Sequence, residues 1–216
     1  ENSLNYTSQL EDSLAQIRAG DFIPRIRSFA LASAGKESKP VMIVCTDLHR
    51  ELRYTGLGSR VREGSIDTAT HWNAVCIGTD FAKTMNIKLG DSLALIGKGY
   101  HDVSAAGVFP VGAILKFGSP ELNKQLVVLP RAVGASFFSM ESRITEVAFW
   151  PKKPSLVKQL KLELHNLNLE NTEMMGWEQM VPEVERMIET DKASANIFLF
   201  ILYLVVSFGI FGTVLM

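Results

Sequence analysis

With 216 residues, 47% of them hydrophobic and 21% charged, the chain has enough apolar material for one large core or two small ones. Its 22 basic and 23 acidic residues leave a net charge of −1, so the basic surface that a polyanion partner needs is missing and nucleic acid is not an expected ligand. Residues 1–20 carry neither the basic flank nor the apolar stretch of a signal peptide, and the sequence is expected to be an internal piece of a longer protein.

The first predicted element is a helix over residues 3–18, where Leu4, Leu10, Leu14 and Ile17 recur at near-helical spacing and Gly20-Asp21 supplies a stop. Two apolar runs, 22–32 and 41–45, flank the polar turn 35–40 and predict a hairpin with Pro24 at its edge. After Asp47 the chain turns polar and glycine-rich through Gly56, Gly58 and Gly64, which predicts a loop. Residues 74–77 then read as a strand, followed by a short helix capped by Thr79 or Asp80 with Phe81, Ala82 and Met85 on its inner face. Strand-like runs at 92–96, 103–109, 113–117 and 125–129 predict a β-rich unit. From Thr145 the pattern becomes strand (146–150), proline turn, helix (155–164, with Leu156, Leu160 and Leu164 on one face) and a second short strand (172–175), a βαβ unit.

The expected fold class is therefore α+β. Residues 1–63 and 141–182 would form a split α/β subdomain around an inserted β-rich segment, 64–140. Cys45 and Cys76 each lie in an apolar run, as buried packing residues do. A disulfide between them stays open if the two runs are neighbouring strands.

Residues 197–216 contain no charge, and twenty helical residues cover the ~30 Å of a bilayer core. A helix over 183–216, with its span at about 195–216, is predicted to enter a membrane. Just before it, Glu183, Glu185, Glu189 and Asp191 outnumber Arg186 and Lys192, the opposite of a cytoplasmic flank, which places the preceding residues outside the cytoplasm. Ser207, Gly209 and Gly212 are small enough to admit a second helix.

Several motifs then fall in a telling order: Arg62-Glu63-Gly64, the apolar strand and helix 74–82, and Leu89-Gly90-Asp91 before strand 92–95. They continue with Gly107-Val108-Phe109-Pro110-Val111, Phe117-Gly118-Ser119-Pro120-Glu121-Leu122, and Gly176-Trp177 leading to Pro182. The set resembles the extracytoplasmic core of ABC transporter permeases of the LolC/LolE/MacB/FtsX-like family. The resemblance implies a split porter-like α/β subdomain with an inserted β-rich sabre-like subdomain, followed by a transmembrane helix. It implies an ATPase on a separate chain or domain, a second permease subunit (homodimer or LolC/LolE-like heterodimer) and contact with membrane lipids. The location implied is the inner membrane of a bacterium, with the soluble part on the periplasmic or extracellular side. Two functions are implied: export or release of a hydrophobic cargo such as lipoprotein, or FtsX-like mechanotransmission to an extracytoplasmic partner without cargo. Residues 97–102 are too short for the carrier-recruiting hook of LolC.

No catalytic, cofactor or metal site is expected. His49, His71, His101 and His165 lack metal-ligand spacing, and the stretches 56–60 and 97–101 miss the phosphate-wrapping pattern with its lysine. Candidate contact residues are Tyr100 and His101, in a loop rich in small residues, and Met174, Met175, Met180 and Met187, apolar side chains near the membrane that suit a hydrophobic cargo.

Overall fold

The computed structural model describes residues 3–71, 73–167, 172–176, 179 and 182–215. The chain divides into two units, residues 1–168 and 169–216.

The first unit opens with a two-residue strand β1 (Leu4–Asn5) and helix α1 (Ser8–Ala15). The predicted helix is shortened because Leu4 and Asn5 are drawn into pairing with Ile144 and Arg143 of β9 (Arg143–Ile144). Thr7 caps α1 by accepting the Leu10 N–H at 3.3 Å. The predicted hairpin follows as β2 (Gly20–Ala34) and β3 (Glu37–Thr46), in register from Arg25 opposite Thr46 to Ala34 opposite Glu37. Gly35 supplies the positive φ (+60°) that a two-residue turn needs to match strand twist. Pro24 stands one residue outside this ladder, opposite Val147.

Where a loop was expected after Asp47, the chain forms helix α2 (Leu48–Tyr54). The Asp47 carboxylate caps it, accepting the N–H groups of His49 and Arg50 at 3.0 and 3.1 Å. Strand β4 (Val61–Gly64), helix α3 (Ile66–His71), strand β5 (Val75–Gly78) and helix α4 (Thr79–Met85) come next. As expected, α4 buries Phe81, Ala82 and Met85. Strands β6 (Ser92–Lys98) and β7 (Ser104–Leu115) form a second hairpin. The two strands predicted at 103–109 and 113–117 are one, because a bulge at Gly112, between the pairs Val75–Val111 and Cys76–Ala113, lets β7 continue past Pro110. The unit closes with α5 (Pro120–Gln125), β8 (Leu126–Pro130), α6 (Arg131–Phe137), β9, β10 (Glu146–Pro151) and α7 (Val157–Asn166).

Eight strands share one sheet, ordered β10-β2-β3-β8-β5-β7-β4, with β6 joining β2 to β7. The path β2-β3-β8-β5-β7-β6 thus returns to β2. Inside it lie Ile26, Ala30, Ala32, Val41, Ile43, Cys45, Ile77, Leu93, Leu95 and Leu129, joined by Phe81 of α4 and Phe138 beyond α6. A second cluster, on the other face, buries Leu48, Leu57, Ile66, Cys76, Leu115 and Val128. Strands from residues 1–63, 64–140 and 141–182 are hydrogen-bonded together, so the boundaries drawn at 64 and 141 do not divide the sheet. Residues 172–176 form no strand, so α7 is followed by no second strand there and the predicted βαβ unit reduces to β10 and α7.

The question of the cysteines is settled by topology. Cys45 lies opposite Leu129 and Cys76 opposite Val128, so β8 runs between them. Two inter-strand spacings separate their backbones by about 10 Å, too far for a disulfide. Both thiols are free and buried, and burial pushes each up to about 12. A thiol reagent at neutral pH is therefore expected to modify neither cysteine in the folded chain and both in denaturant; fast labelling of either under native conditions would contradict this packing.

A carboxylate fastens α7 to the start of β2. Glu163 accepts the N–H groups of Arg18 and Ala19 at 2.9 and 3.1 Å and the Gln159 amide at 2.7 Å. These bonds, the Gln159 bond foremost, hold its carboxyl below the usual range. A lowered pKa contributes stability above the unfolded-state value that is lost as pH falls through the folded one. Glu163→Gln should thus melt earlier than the parent at pH 7, and the two should converge in acid. Equal melting temperatures at pH 7 would show that the contact contributes nothing.

Candidate functional site

The loop 99–103 at the tip of the β6-β7 hairpin holds two of the expected contact residues. Its geometry begins with Gly99, where a Cβ would lie 2.5 Å from the Phe138 carbonyl oxygen, so only glycine lets the backbones meet this closely. The Gly99 N–H donates to Val103 O at 2.7 Å and the Tyr100 N–H to Phe138 O at 2.8 Å. His101 and Asp102 both adopt left-handed backbone, φ 54° and 60°. Two such residues in succession are costly for side chains with a Cβ and persist only where neighbours hold them.

Tyr100 and Arg143 supply that hold. The Tyr100 ring packs on the inner cluster, and the His101 ring centroid lies 4.0 Å from it in a tilted arrangement. The Arg143 guanidinium sits 4.5 Å from the centre of the Tyr100 ring, a cation–π contact. The same guanidinium donates from Nε to Ser3 Oγ and from Nη2 to the Ser3 carbonyl, both at 2.8 Å, and from Nη1 to Asn5 Oδ1. Arg143 therefore ties the N-terminal strand to the hairpin tip. No sequence pattern marked it, since its hydrogen-bond partners Ser3 and Asn5 lie 138 to 140 positions away in the chain. The Lys98–Asp102 pair at 3.0 Å is largely exposed and adds little. The tip is thus pinned by Phe138 and Arg143.

The methionines belong to the second unit. Met174 and Met175 lie in an irregular segment, 48% and 52% exposed. Met180 and the Met187 side chain fall outside the described residues. Among the described residues no group of three or more His, Cys, Asp or Glu is placed to hold a metal ion.

The second unit is dominated by helix α8 (Pro182–Leu215), 34 residues without a break. By the usual rise it is about 51 Å long. Its segment Asn196–Leu215 has mean hydropathy 2.5 and is entirely unburied, long and apolar enough to cross a membrane. Pro182 opens it, where a missing N–H costs no helical bond. Gly209 and Gly212 do not interrupt it, and a Cβ at either would meet nothing within 4 Å.

No family model and no curated protein matches the sequence. Solved structures do match the fold. The extracellular domain of the noncanonic ABC-type transporter YknZ from Gram-positive bacteria aligns with 79% of this chain and 87% of its own, at 13% identity and a TM-score of 0.54. The periplasmic region of MacB from Actinobacillus actinomycetemcomitans aligns with 84% of each chain, at 14% identity and a TM-score of 0.56. At this identity the likeness is one of fold. A mixed helix-and-sheet domain that precedes an unburied apolar helix thus carries the fold of the extracytoplasmic domains of MacB- and YknZ-type ABC transporter permeases.

Proposed function

We propose that this chain is the extracytoplasmic domain and following membrane helix of an ABC transporter permease, and that it couples ATP-driven helix movement to export or release of a hydrophobic cargo such as lipoprotein. It is not itself an enzyme: the ATPase resides on a separate chain or domain, a second permease subunit completes the transporter, and the assembly sits in a bacterial inner membrane. The observation that carries this reading is α8, which runs unbroken from a charged stretch into an uncharged span. A continuous helix transmits displacement, whereas a flexible hinge absorbs it. Inserting Gly-Gly after Thr190 in the full transporter is expected to uncouple ATP hydrolysis from export while assembly with the ATPase persists. Export at the parental rate per ATP would reduce the domain to a passive docking surface.

The pinned tip favours a second reading, in which the domain regulates an extracytoplasmic partner without moving cargo. Under it, Tyr100→Ala with His101→Ala abolishes partner regulation and leaves the transporter's ATPase unchanged. Under the transport reading the same variant slows cargo release instead.

A further inference from the structure

We propose that the outward face of α7 rests on an anionic lipid surface, that of the bilayer crossed by α8. The inference rests on reading α8 as a membrane span; the face itself is built from residues of the first unit alone.

Helical periodicity divides α7 into two unlike faces. Leu160 is buried, and Leu156, Leu164 and Leu167 pack with it in an apolar cluster around Leu14, Ile17 and Ala19. With those leucines turned inward, Leu162 lies roughly 160° around the helix from Leu160 and can only point out. It is 66% exposed, and Val157 is 37% exposed. The other outward side chains are basic or uncharged: Lys158, Lys161, His165 and Asn166 are all exposed. They form two rows spaced at i, i+4, one of Val157, Lys161 and His165 and one of Lys158, Leu162 and Asn166. Each apolar side chain therefore has a lysine one turn away.

The charge is one-sided. Residues 150–166 hold four lysines, Lys152, Lys153, Lys158 and Lys161, against one carboxylate, in a chain of net charge −1. That carboxylate, Glu163, is taken up by the N–H groups of Arg18 and Ala19 and by Gln159. Lys152 Nζ donates to the Arg18 carbonyl at 3.2 Å, which sets its ammonium beside the same anchor. Among the described residues no carboxylate forms an ion pair with any of the four lysines. Apolar side chains set among lysines suit a bilayer interface, where lysine stems lie along apolar surface and the ammonium groups meet phosphate. The chain brings that surface within reach, since its span begins at Asn196. Residues 167–181 extend up to about 50 Å, more than the ~21 Å that residues 182–195 would rise as an upright helix.

Because Cys45 and Cys76 are buried, a single introduced cysteine carries the probe. The full chain with Leu162→Cys, labelled with a bimane maleimide, is reconstituted in liposomes of phosphatidylglycerol and phosphatidylcholine or of phosphatidylcholine alone, each holding a doxyl-labelled lipid as quencher. Strong quenching is expected with the anionic lipid and little without it. At about 1 M salt, where the Debye length falls to ~3 Å, the difference should vanish. A lysine near an anionic surface raises the bound population roughly fivefold, so Lys158→Glu with Lys161→Glu should lower it about twenty-five-fold or more and leave quenching at the phosphatidylcholine level. Both lysines are exposed, so the reversal leaves the fold in place. The exposed turn position Ser59→Cys should stay unquenched in both lipids. Equal quenching at position 162 in the two lipids, or quenching that survives the charge reversal, would overturn the proposal. Flotation separates this result from failure of the membrane reading. A chain that floats with both liposomes yet shows no lipid-dependent quenching defeats the α7 contact and leaves the span standing, whereas a chain that floats with neither defeats both.

Discussion

Replacing Gly134 by alanine is expected to destabilise the domain strongly. Gly134 lies in the middle of α6, and a Cβ there would overlap both Sγ and Cβ of Cys45. The Cβ of Cys45 is fixed by the strand backbone, so turning Sγ about χ1 does not clear the overlap. Cys45 is fully buried in β3 with its neighbours paired on both sides, so the helix must lift off the sheet. Overpacking of this kind costs about 3 kcal/mol or more, a drop of roughly 6 to 12 °C in Tm for a domain of this size. Cys45→Ala in the same chain should recover part of the loss by removing Sγ, but not all of it, because the Cβ remains. Gly118→Ala is the control: its added methyl meets nothing within 4 Å and should be neutral. A Gly134→Ala chain that melts with the parent would mean that α6 does not rest on Cys45.

The helix-to-sheet contact at Gly134 illustrates what the sequence conceals. The β2-β3 hairpin was legible because two long apolar runs flank a polar turn, and α4 because its three core residues sit at helical spacing after a strand. The membrane helix was legible from composition alone. Other elements were misread for identifiable reasons. Pro110 and Gly112 look like strand breakers, yet one stands opposite Ser92 at the end of the β6 ladder and the other is absorbed in a bulge. Helix α2 was hidden because Asp47 was read with the glycines that follow instead of as a cap for Leu48, Glu51 and Leu52. At the tip, Tyr100 and His101 were visible as an aromatic pair among small residues. Arg143, which packs on Tyr100, was not, because a lone arginine in a two-residue strand has no local signature. Asn123 differs, since its partners are local: its buried amide accepts the Phe117 N–H at 2.8 Å and donates to the carbonyls of Phe117 and Ser119 at 2.8 and 3.0 Å, a loop brace that no motif marks. Long-range polar partners are set by topology, and one sequence does not disclose them.

The most severe single loss of charge is expected at Glu51. This residue of α2 is 5% exposed, and its Oε1 accepts from Arg25 Nε at 2.8 Å, lies 2.7 Å from Arg25 Nη2, and accepts from the buried Thr46 hydroxyl at 2.8 Å. Around it, Glu146 of β10 pairs with Arg27 at 3.0 Å and approaches Arg25 at 3.8 Å. The cluster joins α2, β2, β3 and β10, and Leu48 and Leu52 of α2 belong with Val44 and Val128 to the second core. Glu51→Ala leaves a half-buried guanidinium facing only a distant carboxylate and a hydroxyl without its acceptor. Removing one member of a fully buried pair costs about 3 to 5 kcal/mol, and the partial exposure of Arg25 sets the loss here toward or below the lower end. Glu51→Gln keeps an acceptor for Arg25 and Thr46 and should lose less. The decisive comparison is a triple variant, Arg25→Met, Thr46→Val and Glu51→Leu, which replaces the whole buried cluster by apolar volume while Glu146 keeps Arg27. Such replacements are often neutral or stabilising, so the triple variant should melt well above Glu51→Ala in a denaturant titration. If instead it were as unstable as Glu51→Ala, the cluster's contribution would lie in the shape of the charged groups and their fixed directions, and α2 would depend on that geometry rather than on the cover it gives the sheet.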